Sequence, residues 1–219
     1  MASFAGPNIV TDNLKLFYDA ANPKSYPGSG TTWYDLSGND NHGTLLNGPS
    51  FSSDKGGCFT LDGTNDRISF NATYTRTICF WGRLSSGFPD LAALVAKSAT
   101  GDGSLRVRTT NDGSFNTNPG ANDFYRSGYK SQLMMNGKSN LPSSGGRYIV
   151  PNGRTMLLDY YVGALGPGDM MRTISHDFTH GNIARRYKGR VYAVLLYSRH
   201  LTFSQLLQNY NSFRGRFGL

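Results

Sequence analysis

Residues 14–70 constrain the fold more than any other stretch of the chain. A short apolar approach, Leu14-Lys15-Leu16-Phe17-Tyr18, leads to an aromatic anchor at Trp33-Tyr34. A dense run of turn formers follows from Asp35 to Gly43, and then an apolar exit at Leu45-Leu46. Further on, two strand-like pieces between Thr60 and Phe70 meet across an Asp62-Gly63 corner. Short apolar pieces of period two, separated by Asp, Asn, Ser and Gly, read as strands joined by tight turns. The 27 glycines among 219 residues suit many short strands and fit long helices poorly.

The same pattern continues. Residues 14–19, 77–82, 91–97 and 105–109 are expected strands, each bounded by turn formers. Residues 132–138 read as a strand entering an Asn136-Gly137 hairpin turn, and residues 156–163 and 190–198 as two strong strands. In the last of these both alternating sets are apolar: Val191, Ala193, Leu195 and Tyr197 on one side, and Tyr192, Val194 and Leu196 on the other. That composition predicts a central strand covered on both faces. One helix is expected at about 203–213. Thr202 and Gln205 form a capping box, Leu201 and Leu206 are placed for a hydrophobic staple, and Phe203, Leu206, Leu207 and Tyr210 form the apolar stripe. Residues 1–12 read as a small, polar N-terminal arm broken by Gly6-Pro7, leaving 13–219 as one domain. The fold class is therefore all-β, a jelly-roll β-sandwich of two antiparallel sheets with one short C-terminal helix.

Charge and residue usage exclude several kinds of chemistry. All 14 acidic residues are Asp. Carboxylate-pair glycosidases need two positioned acids, and none of these Asp residues forms a close pair on a convincing strand, so the chain is read as a non-enzyme. No Gly-x-Ser-x-Gly elbow accompanies the four histidines. His176 and His180 stand four apart, a spacing that could hold zinc on a helix, but their surroundings read as loop. Gly163 to Gly168 contains a proline, and no Lys-Ser or Lys-Thr follows, so no phosphate loop is present. Cys58 and Cys79 are too few for a disulfide framework, and Cys79 in its apolar run reads as a buried free thiol. The N-terminus lacks the features of a signal peptide, and no apolar run spans a bilayer. Synthesis in the cytoplasm without membrane insertion is expected.

Two binding readings stay open. Asp35, Ser37, Asn39, Asp40, Asn41, Asp62 and Asp66 crowd oxygen ligands into one region, as calcium would require, with Asp62 and Asp66 its candidate ligands. The same residue types are ordinary turn formers. Residues 1–75 hold four basic groups against seven Asp, whereas from His180 onward seven Lys or Arg occur with no acid. Basic residues interleave with aromatics at Tyr125-Arg126, Tyr129-Lys130 and Arg185-Arg186-Tyr187-Lys188. Such pairs can stack bases, stack sugar rings or build protein interfaces, and nothing selects direct nucleic-acid binding.

The segments 16–39, 41–49 and 61–66, together with Lys188-Gly189-Arg190-Val191-Tyr192, Leu196-Tyr197-Ser198-Arg199 and Gln208-Asn209-Tyr210-Asn211, resemble the laminin-G-like, concanavalin-A-like domains of structural proteins of tailed bacteriophages, cyanophages among them. The middle departs from that pattern, with Phe124-Tyr125-Arg126 where relatives show a Trp-containing strand, and Gln205 replaces the usual acidic residue of the helix. The resemblance implies a virion structural protein on the particle surface, a capsid decoration or head-surface subunit, oligomeric in the particle and partnered by other virion proteins. In that reading the arm or the basic residues Arg185, Arg186, Lys188, Arg214 and Arg216 dock onto the particle. The alternative is an adhesin or tail-fibre component for host surface polysaccharide, with Trp33, Tyr34, Tyr125 and Tyr129 stacking on sugars.

Overall fold

The computed structural model describes residues 8–85, 92–97, 105–107, 114–116, 133–135, 147–149, 155–161, 170–175 and 186–219. In chain order the strands are β1 (Leu14–Asp19), β2 (Thr32–Trp33), β3 (Gly43–Leu46), β4 (Ser50–Ser52), β5 (Cys58–Asp62), β6 (Arg67–Tyr74), β7 (Thr77–Leu84), β8 (Ala92–Lys97), β9 (Leu105–Val107), β10 (Ser114–Asn116), β11 (Leu133–Met135), β12 (Arg147–Ile149), β13 (Thr155–Tyr161), β14 (Met170–Ile174) and β15 (Lys188–Tyr197), followed by helix α1 (Phe203–Phe217). Their antiparallel pairings make two large sheets. One runs β11-β13-β7-β15-β5-β4 with β1 also on β15, the other β2-β3-β6-β14-β8-β9, and β10 pairs with β12 separately. The molecule is a β-sandwich with a C-terminal helix, as the alternating sequence demands.

β15 is the expected central strand, and its register explains why every residue from Val191 to Tyr197 is fully buried. β7 runs along one edge; the other edge is shared, with β5 opposite Lys188–Val191 and β1 opposite Ala193–Tyr197. A register shift between Val191 and Ala193 breaks the simple alternation. Val191, Val194 and Leu196 face the space between the sheets, while Tyr192, Ala193, Leu195 and Tyr197 face outward beneath the helix. A bulge adds one residue and so transfers the later positions of the strand to the opposite face. The two sets read from strict alternation are corrected accordingly. At the start of this strand Gly189 has φ +152°, and a Cβ there would lie 2.2 Å from the Arg83 carbonyl oxygen, so only glycine fits against β7.

Two cores result from this arrangement. Between the sheets, Leu16, Tyr18, Phe59, Phe80 and Leu196 meet Leu45, Ile68, Phe70, Leu94 and Met171. On the outer face of the first sheet, Trp81 stacks on Phe217 at 4.8 Å, and Leu206, Tyr210 and Phe213 complete the cover. Each such side chain buried contributes about 1.5–3 kcal/mol.

The helix begins as the sequence predicts. Thr202 accepts the Gln205 N–H, and Gln205 Oε1 accepts the Thr202 N–H at 3.0 Å. It runs to Phe217 rather than to about 213, continuing through Gly215 because Phe217 and Arg216 are anchored below. Its buried face is Leu206, Asn209, Tyr210, Phe213 and Phe217, and Phe203, placed on that face by spacing, is 41% exposed.

Residues 8–12, the end of the expected N-terminal arm, are tied to the outer core. Val10 N–H donates to Asn209 Oδ1 at 2.8 Å, Tyr197 Oη donates to the Val10 carbonyl, and Gln208 Nε2 donates to the Asn8 carbonyl. Asn209 is fully buried and also donates to Tyr197 Oη, which satisfies its amide. The Asp62-Gly63 corner joins strands of different sheets, β5 in the first and β6 in the second. Cys58 and Cys79 are both buried and neither is in a disulfide, which agrees with the expectation of a buried thiol at Cys79.

Candidate glycan-binding cleft

The loop between β2 and β3 is organised by one carboxylate. Asp35 is nearly buried and accepts four hydrogen bonds, from Phe17 N–H (2.8 Å), Ser37 N–H (2.9 Å), Ser37 Oγ (2.7 Å) and Asn41 N–H (3.1 Å). Below it, Tyr18 Oη donates to the Asn41 carbonyl at 2.6 Å; burial, and then the Asp35 charge, hold the pKa of this phenol far above its ordinary range. Asn41 is buried and pairs with β6: its Oδ1 accepts Asn71 N–H at 2.9 Å, and its Nδ2 donates to Thr73 Oγ1. A loop of turn formers is thereby fixed against a strand.

A cleft of about 290 Å³ opens beside this junction, lined by Lys15, Asn39, Asn41, Asn71, Ala72, Thr73 and Tyr74. Asn41 and Thr73 are spent on structure. Asn39 Nδ2 donates to the Leu14 carbonyl at 3.0 Å. The groups presented outward are Asn71 and Asn39, both exposed, the Lys15 ammonium and the half-buried ring of Tyr74. Arg76 braces that ring, its guanidinium 5.3 Å from the centroid and its Nε donating to Tyr74 Oη at 2.7 Å. Neutral amides and an ammonium around an aromatic ring suit a hydroxyl-rich ligand. Among the described residues the lining contains no carboxylate.

The residues expected to bind sugars separate. Tyr34 is 42% exposed, on the Asp35 loop, and meets His42 edge-on at 5.1 Å. Trp33 is a correction: it is fully buried, stacked on Tyr18 at 4.8 Å and against Phe59, which leaves no face for a sugar. Tyr125, Tyr129 and Arg185 lie outside the described residues, as do His176 and His180. The cleft residues Asn71 and Tyr74 were missed. Their signal was an Asn in the middle of an otherwise strand-like run, where Asn is disfavoured.

The Asp62 and Asp66 carboxylates close the corner instead of facing a common ligand. Asp62 Oδ1 accepts N–H groups from Thr64 (2.7 Å), Asn65 (3.2 Å) and Asp66 (3.4 Å), and Asp66 Oδ2 accepts the Asp62 N–H at 3.0 Å. Burial opposes ionisation of Asp62, but the three N–H donors win and hold its pKa below the ordinary carboxylate range. Asp66 has one such donor, and burial followed by the Asp62 charge pushes its pKa up. Among the described residues no three His, Cys, Asp or Glu side chains gather to hold a metal.

The basic residues expected to dock also divide. Arg214 is exposed at the end of α1, and Arg186 and Lys188 are half-buried at the start of β15. Arg216 is a correction. Its Nη1 pairs with Asp19 Oδ1 at 2.6 Å, its Nη2 donates to the Gly57 carbonyl at 2.6 Å and its Nε donates to the Lys55 carbonyl. It is an internal brace, because all three donor positions point into the domain.

No family model and no curated protein matches the sequence. Solved structures do. Domain 4 of AbnA, a GH43 extracellular arabinanase from Geobacillus stearothermophilus in complex with arabinotriose, has a TM-score of 0.54 at 11% identity and covers 90% of this chain and 98% of that one. A mutant of Trypanosoma rangeli sialidase displaying trans-sialidase activity has a TM-score of 0.57 at 14% identity, covering 98% of this chain and 35% of that one. Trypanosoma rangeli sialidase in complex with sialic acid scores 0.54 at 13% identity over 94% and 34%. The chain thus spans about a third of the sialidase chains and nearly all of the arabinanase domain. At these identities the likeness is one of fold, a shared β-sandwich.

Proposed function

We propose that the protein is a non-catalytic glycan-recognition module displayed on the surface of a bacteriophage particle. The observation that carries the glycan reading is the cleft lined by Lys15 of β1, Asn71 and Tyr74 of β6 and Asn39 of the loop that Asp35 holds in place. Preorganised polar groups beside an aromatic ring are what a sugar needs for hydroxyl contacts and for stacking. The arabinotriose held by the similarly folded arabinanase domain supports an oligosaccharide as the ligand class. The sequence resemblance to phage structural proteins supports the virion as the setting.

The test is a glycan array followed by titration of the best oligosaccharide. Asn71→Ala and Tyr74→Ala each weaken binding by about tenfold, the loss of ~1.4 kcal/mol, Asn71→Ala with unchanged melting and Tyr74→Ala with some loss of stability because its ring packs on the core; Tyr34→Ala extends the test to the neighbouring loop. Chelation of calcium leaves the affinity unchanged, since the cleft offers amides and an ammonium. Absence of binding to any glycan, or equal binding by the variants, overturns the reading. The virion setting has its own test: the protein must be located in a reconstruction of whole particles, which also decides between a capsid decoration and a tail adhesin.

A further inference from the structure

Away from the cleft, two arginines, Arg67 at the start of β6 and Arg186 just before β15, sit where the chain twice crosses between the sheets. The Asp62–Arg67 corner passes from the first sheet to the second. Arg186 makes a bridge with Ala93 of the second sheet just before the chain enters β15 in the first. Lys188 is the register partner of Asp62, so the two crossings lie side by side. Arg67 and Arg186 are half-buried, and among the described residues the buried Arg67 Nε and Arg186 Nη1 have no hydrogen-bond partner. Burial first, and then the Arg67 charge, lower the basicity of Arg186, while Asp62 works against this.

A buried guanidinium N–H without a partner costs free energy comparable to a lost charge-assisted hydrogen bond. The Arg67 charge nearby adds repulsion. The nearby acids are engaged elsewhere: Asp62 is turned to three backbone N–H groups, and Asp66 accepts the Asp62 N–H. What the cluster lacks is an acceptor with several oxygens, for which the planar guanidinium fork is suited.

We propose that Arg67 and Arg186, with Lys188 beside them, form a binding site for an oxyanion, a carboxylate or a sulfate or phosphate ester carried by a ligand. The site is separate from the cleft and stands or falls independently of the glycan reading.

Inorganic sulfate is the probe, titrated into the full chain by calorimetry against a chloride control of equal ionic strength. Wild type binds it saturably, Arg67→Gln and Arg186→Gln weaken it about tenfold or more, and Arg186→Lys weakens it less, because charge remains but the fork is lost. Without anion, either Gln variant melts at or above the wild-type temperature, since one of two repelling cations has gone. Competition by glucuronate, by glucose 6-sulfate or by inorganic phosphate assigns the natural group as carboxylate, sulfate ester or phosphate. Sulfate binding no stronger than the chloride control, equal binding in all variants, or unfolding of both Gln variants overturns the proposal; the last would mean that the guanidinium groups are internally paired.

Discussion

Replacing Arg216 with Ala tests whether α1 is braced or merely laid on the sheet. The side chain reaches from the last turn of the helix to the end of β1 and to the Asp54–Gly56 turn, and its guanidinium also lies 5.2 Å from the Phe217 ring centroid. The pair with Asp19 is largely out of solvent, the two side chains being 10% and 17% exposed. Breaking a buried pair from one side costs about 3–5 kcal/mol. The residual exposure here, and the ease with which water can reach the exposed Lys55 segment, place Arg216→Ala at the lower end, about 3 kcal/mol. For a chain of this size that is a fall in melting temperature of roughly 6–12 °C. Arg216→Lys keeps the charge but not the three-way fork and loses about half as much. Asp19→Asn still offers an oxygen to the Ala21 N–H that Asp19 now caps at 3.0 Å, so a double-mutant cycle isolates the pair. Urea melts of the four chains supply the numbers. A loss under about 1 kcal/mol for Arg216→Ala, or a coupling near zero, refutes the brace and returns Arg216 to the surface residues available for docking.

Further tests probe the carboxylates and the helix. The pKa of Asp66 is raised in the folded state, so its contribution to stability is fully present below the ordinary carboxylate range and is lost as pH rises through its folded value. Asp66→Asn is therefore at least as stable as wild type at pH ~7 and no better in acid near pH ~3, as read from denaturant midpoints. Asp54 behaves oppositely. Burial disfavours its charge, but donation from Tyr192 and Arg190 wins and lowers its pKa. Its stabilisation is present above the ordinary carboxylate range and fades as pH falls through the folded value, and an Asp54→Asn chain shows a flatter acid limb. Asp35→Ala strands four donors and costs about 3 kcal/mol, with weaker glycan binding by the loosened loop. Thr202→Ala removes the cap and costs about 1 kcal/mol, whereas Phe203→Ala, on the exposed side, changes stability by less than about 0.5 kcal/mol.

Local chemistry alone determined a good part of this protein. The capping box spans three residues and depends on Thr202 and Gln205 only, so its sequence signature is complete. The alternation of Leu14–Asp19 and the doubly apolar run of β15 likewise state their burial without reference to partners. The β-sandwich class followed from these short elements and their turns. Tertiary structure decided the rest, where the partner lies far along the chain. Nothing local distinguishes Trp33, packed inside on Tyr18, from Tyr34, exposed beside it. The bulge that separates Val191 from Ala193, Leu195 and Tyr197 lies in the pairing of β15 with β7, a partner more than a hundred residues away. Phe203 loses its place on the buried face because Trp81 sits nearer the other end of the helix, beneath Tyr210 and Phe217. Arg216 meets Asp19 across a separation of 197 residues, and Arg67 finds Arg186 only because two crossings between sheets lie together. Hydrogen bonds within a turn are written in neighbouring residues, but which face is buried and which charges meet depend on sheet order and register, which short windows of sequence do not contain.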